Sequence, residues 1–162
     1  WSVDCVGYGP WDPEPMLREI LRVLRPGGRL AILAWSSEKL LPGFPQLEAR
    51  LQATEAGMAP FSLKMGPARH FPRFLGVLRE LGLTDLKAHT CVGTAHAPLD
   101  EDRRSALESL FEMRWPKVEA ELGSEDLSQL QRLIRPESEE FILDHPDYYA
   151  FFTYSVFWGH VR

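Results

Sequence analysis

Apolar residues recur along this chain at two spacings, and each predicts a kind of element. Val3 to Tyr8 is an apolar run with Asp4 as its sole charge, suited to a buried parallel strand. The spacing then becomes helical. Leu17, Ile20, Leu21 and Leu24 share one face, with Asp12 as a cap, Pro13 at the first position and Glu14 near the positive end of the helix dipole. Arg25-Pro26-Gly27-Gly28 stops that helix and turns the chain. Leu30 to Trp35 is apolar on both faces, as a central strand covered by helices must be. Strand, helix, Gly-Gly turn and strand compose one right-handed βαβ crossover.

The pattern loosens after Trp35. Leu41-Pro-Gly-Phe-Pro45 is a cluster of breakers. Leu47 and Leu51 predict a helix to about Ala56, ended by Gly57, and Met58 to His70 has no period. Phe74, Leu75, Val77, Leu78 and Leu81 predict a helix over 71–81 that stops at Gly82. Thr84 to His96 alternates as a strand does, with Leu86, Ala88, Thr90, Val92 and Thr94 on one face. Helical spacing returns over 100–115, ends at Pro116, and recurs over 118–122 and 124–134, where Ser124 is a candidate cap. A short helical turn falls within 136–143. Tyr149 to Val161 is aromatic on both faces, which suits a strand inserted between two others. The fold class is therefore α/β, in one domain over 1–162, with a helical insertion over 100–143 between two strands.

Composition narrows the function classes. The 162 residues are 44% hydrophobic and 25% charged, ordinary for a globular domain with a real core. A formal net charge of -5 argues against nucleic acid or an anionic membrane as partner, because both reward basic surfaces. Leu30 to Trp35, the longest apolar run, is too short to span a bilayer. Cys5 and Cys91 both fall in predicted strands and make no metal spacing, so two buried free thiols in a reducing cytoplasm are expected.

Two phrases resemble the second half of a class I S-adenosylmethionine-dependent methyltransferase. Val23-Leu24-Arg25-Pro26-Gly27-Gly28-Arg29-Leu30 looks like that family's turn into its fifth strand, and Leu78-Arg-Glu-Leu-Gly-Leu-Thr-Asp-Leu86 like its approach to the sixth. Tyr149 to Val161 fits the family's last strand, which runs antiparallel between those two. The resemblance implies a Rossmann-like sheet read from its fourth strand onward, with a chain that opens inside that strand. It implies S-adenosylmethionine as cofactor and a small or medium molecule as methyl acceptor. The family's glycine-rich loop and ribose-binding acid are not in these residues: Gly7-Tyr8-Gly9 is one G-x-G ahead of Pro10 and Trp11, and no G-x-G-x-x-G follows a strand. The resemblance thus implies that this chain alone is inactive and binds the cofactor weakly.

Ligands of open α/β sheets sit at the carboxyl ends of the strands, and three segments qualify. Tyr8, Gly9, Pro10 and Trp11 follow the first strand, where the family borders its cofactor. Trp35 and Ser36 follow the second, with Phe44 close behind, and are candidate walls of an acceptor pocket. His145 lies in Asp144-His-Pro-Asp-Tyr-Tyr149, ahead of the last strand. Of five histidines, His70 is the candidate general base, because it lies in the irregular stretch where the family builds lids. Tyr8, Trp11, Trp35, Phe44 and His70 are expected to line one pocket. No histidine pair sits at metal spacing. The open edge of Val3 to Tyr8, with Leu17, Leu21 and Trp11 partly bared beside it, predicts a homodimer or pairing with a missing N-terminal half. Two other readings share the pattern: a non-catalytic interaction module of the same fold, and a nicotinamide-dependent Rossmann enzyme, which the slotted last strand disfavours.

Overall fold

The computed structural model describes residues 1–6, 12–58 and 66–162. The elements are β1 (Ser2–Val3), α1 (Glu14–Val23), β2 (Arg29–Lys39), α2 (Pro45–Gln52), α3 (Phe74–Glu80), β3 (Thr84–His96), α4 (Glu101–Arg114), α5 (Ser124–Ile134) and β4 (Tyr149–His160), with short 3-10 turns between some of them. The chain divides into two compact units.

The first unit comprises Trp1–Ser37, Ala59–Val92 and Thr153–Arg162. Its sheet runs in the order β1-β2-β4-β3. β1 is parallel to β2, with Ser2 opposite Ile32 and Val3 opposite Leu33. β4 is antiparallel to β2: the Gly27 N–H donates to the Val161 carbonyl (2.9 Å) and the Val161 N–H to that of Gly28 (2.8 Å). At the other end of this pairing Ser36 Oγ meets Thr153 Oγ1 at 2.8 Å. β4 is antiparallel to β3 as well, since the Thr84 hydroxyl reaches the His160 carbonyl while Thr90 meets Ser155. The last strand is therefore slotted between two strands of common direction, as expected. Leu17 of α1, Ile32 of β2, Leu78 of α3 and Phe157 of β4 share one buried cluster. Each such apolar side chain contributes about 1.5–3 kcal/mol on burial.

The second unit comprises Glu38–Met58 and Gly93–Phe152. Its core joins Leu40, Leu47 and Leu51 to Leu107 and Phe111 of α4, Leu130 and Leu133 of α5, and Phe141 to Leu143. α4 begins where the sequence places it: Asp100 Oδ1 accepts from the Arg103 N–H at 2.8 Å, an N-cap. Helices α4 and α5 follow β3 and precede β4 in the chain.

Several expectations are corrected. β1 ends at Val3 rather than Tyr8, because Asp4 turns into the left-handed region at φ 49. Leu17 is fully buried, so α1 is not bared there, although Leu21 is only half-buried. Cys5 and Cys91 are exposed, not buried: Cys5 lies beyond the end of β1, and Cys91 belongs to a run of β3, Lys87 to Val92, that is exposed on both faces. β2 continues four residues past Trp35, to Lys39. Gly123, not Ser124, is the N-cap of α5, and no side chain caps it.

Candidate functional site

Two groups of polar and aromatic side chains stand out, one in each unit. In the first unit the chain leaves β1 at Asp4, and its carboxylate serves β2 and β4 together. Asp4 Oδ1 accepts the backbone N–H of Trp35 at 2.9 Å, and Oδ2 accepts the Tyr154 hydroxyl at 2.8 Å. Trp35 and Tyr154 meet edge to face, with ring centroids 5.5 Å apart. Burial, with the hydrogen bond and charge of Asp4 added, pushes the Tyr154 phenol up to about 12. Tyr154 is therefore a hydrogen-bond donor at neutral pH and not a base.

Beside this triad a ladder of hydroxyls crosses the sheet. Ser36 Oγ donates to the Thr153 carbonyl (3.1 Å) and accepts from Ser155 Oγ (2.9 Å), which meets Thr90 Oγ1 at 2.8 Å. The Ser36 hydroxyl is thus engaged by protein on several sides. His70 is exposed and precedes a 3-10 turn over Phe71–Arg73. The neighbouring Arg69 ties this segment to Glu14 of α1 (2.5 Å) and Glu80 of α3 (3.3 Å).

In the second unit a cleft of about 660 Å3 lies among Phe44, Leu133, Phe141, Ile142 and the segment 139–147. Phe44 and His145 both line it, so two expected acceptor-site residues, far apart in sequence, come together. Trp35, Ser36 and His70 belong to the first unit and do not line it. Tyr8, Gly9, Pro10 and Trp11 lie outside the described residues. His145 Nδ1 accepts the Asp147 N–H at 3.3 Å, which leaves its ring proton on Nε2 in the neutral form.

Sequence reasoning missed Asp4 and Tyr154 as a unit. The available signal was a lone carboxylate in an otherwise apolar run, which demands a partner when the run is buried. The same reasoning singled out the segment that holds Asp144 and Asp147, and missed Glu139 and Glu140 beside it. Among the described residues no group of His, Cys, Asp and Glu is placed to hold a metal ion. Nor is any helix among them long and apolar enough to cross a membrane.

No protein-family model and no curated protein matches the sequence. Among solved structures, one similar chain is described as a "putative methyltransferase" from Bacillus halodurans C-125. It is 16% identical, with a TM-score of 0.45, over 98% of this chain and 67% of the other. A likeness this loose fixes neither fold nor activity.

Proposed function

We propose that the protein carrying these residues transfers a methyl group from S-adenosylmethionine to a small or medium molecule. The observation that supports this reading is the sheet order β1-β2-β4-β3, with β4 antiparallel between two strands of common direction. That order is what the resemblance to class I methyltransferases implies for the second half of their sheet. Methyl transfer is an in-line displacement, so the protein's work is to align donor and acceptor and exclude water. Tyr8 to Trp11 are proposed to border the donor; Trp35 and Ser36 in the first unit, or Phe44 and His145 in the second, are proposed to serve the acceptor. A base is required only where the acceptor must lose a proton, and His70 is the candidate.

Calorimetric titration tests the reading. S-adenosylmethionine is titrated into the 162-residue chain and into the whole protein that carries it. The glycine-rich loop is not in these residues, so on this reading the whole protein is expected to bind at micromolar concentration and the 162 residues alone far more weakly. Binding of NAD in place of S-adenosylmethionine, or of neither, overturns it. A second reading, a non-catalytic interaction module, is supported by the long exposed edge strand β3; that module binds no methyl donor in either form.

A further inference from the structure

The cleft of the second unit joins an apolar floor to negative charge that the ion pairs of the described residues offset only in part. Leu133, Phe141 and Ile142 are each at most 5% exposed, and Phe44 is half-buried. Four carboxylates line the same cleft: Glu139, Glu140, Asp144 and Asp147. Two are neutralised from outside the lining, Glu140 by Arg132 at 3.0 Å and Asp144 by Arg104. Among the described residues, Glu139 and Asp147 have no ion-pair partner and no Lys or Arg lines the cleft. An anionic ligand would meet this surplus charge.

The aromatic floor already accommodates a cation. The Arg104 guanidinium stands 5.4 Å from the centroid of the Phe141 ring, within the range of cation–π attraction. Phe44 supplies a second ring in the lining. The volume, about 660 Å3, suits a small organic molecule and is too small to seat a folded partner.

We infer that this cleft binds an amphipathic organic cation: a protonated amine or quaternary ammonium on an aromatic or aliphatic body. The apolar body packs on Phe44, Leu133 and Ile142, and the cationic head is held by Glu139 and Asp147. This goes beyond the methyl-transfer reading. Its test contains no methyl donor, so either can fail alone.

The probes are three molecules of nearly one shape and different charge: phenethylamine, 2-phenylethanol and 3-phenylpropionate. Each is titrated into the full chain at low salt and followed by the amide and aromatic shifts of residues 42–44 and 139–147 in NMR spectra. Phenethylamine is expected to bind at least tenfold more tightly than the alcohol, with 3-phenylpropionate weakest, and raised salt should erode the difference. The exposed pair Glu139→Gln/Asp147→Asn should abolish most of that preference with the fold intact. A charge-matched control, Glu112→Gln/Glu119→Gln, should leave it unchanged. Phe44→Ala should weaken amine and alcohol alike. Equal binding of amine and alcohol, no saturable amine binding, or a preference that survives Glu139→Gln/Asp147→Asn overturns the inference.

Discussion

Glu38 and Arg114 form the most deeply buried ion pair among the described residues, with side chains 3% and 10% exposed. Arg114 Nε and Nη2 both reach Glu38 Oε1, and its remaining donors go to the carbonyls of Ala56 and Gly57. A buried pair is costly to desolvate but more costly to halve. Arg114→Ala is expected to destabilise the chain by about 3–5 kcal/mol, read as a lower urea midpoint. The apolar double variant Glu38→Met/Arg114→Met should recover part of this loss and not all, because the two carbonyls remain without their donor. Full recovery would show that the ion pair alone matters there.

Tyr154 gives a pH dependence. Its folded-state pKa, about 12, lies above the usual 10. A group raised on folding contributes stability that is fully present below the unfolded value and is lost as pH rises through the folded one. Stability should therefore fall between pH 10 and about 12. Burial raises Tyr148 as well, so Tyr154→Phe should flatten that fall without removing it. Alkaline unfolding followed by circular dichroism measures the difference, and an unaltered slope would show that folding does not raise the Tyr154 phenol.

At the scale of elements, the Pro-Gly-Gly turn shows what sequence patterns capture. Gly27 has φ 76, and a Cβ on Gly28 would stand 2.7 Å from the Arg25 carbonyl oxygen. The same two glycines carry the backbone bonds to Val161, so the turn that launches β2 also fixes the end of β4. Gly27→Ala is expected to cost about 1–2 kcal/mol, the penalty of a left-handed non-glycine residue, measured by urea unfolding. Elements bounded by such local chemistry were legible: β3 spans 84–96 and α5 124–134, as the spacing predicts. Where tertiary partners decide, the pattern misleads. β2 runs on through Ser36, Ser37 and Glu38 because hydroxyls of β4 and the Arg114 guanidinium satisfy those polar groups. β1 stops early because Asp4 leaves the strand to accept from Trp35 and Tyr154. Of the site, Phe44 and His145 were legible as residues following and preceding strands. Glu139 and Glu140 were not, because the partners of a carboxylate cannot be read from sequence.

At the scale of the whole molecule, the sheet order leaves two edges among the described residues, β1 and β3. The sequence directs attention to β1, with Trp1 89% and Val3 37% exposed. As a two-residue strand, β1 offers a partner few backbone groups. β3 is 13 residues long, and Ala88 to His96 carries no Asp, Glu, Lys, Arg or Pro to blunt it. Val92 at its middle is 65% exposed, and Lys87 to Val92 are exposed on both faces. In a chain of net charge -5, an uncharged edge of this length is where a second copy approaches with the least repulsion, and antiparallel pairing satisfies the open groups of both copies at once. Self-association is therefore expected through β3 rather than through the N-terminal edge. Light scattering at rising concentration decides between them. Val92→Lys should shift the chain toward monomer and leave the thermal midpoint of the dilute protein unchanged, while Val3→Lys should have little effect on association. Cys91, beside Val92 and exposed, supplies an independent readout: mild oxidation should cross-link copies through Cys91 in the parent chain and fail to do so in Val92→Lys. Association that Val3→Lys abolishes and Val92→Lys spares would return the interface to β1.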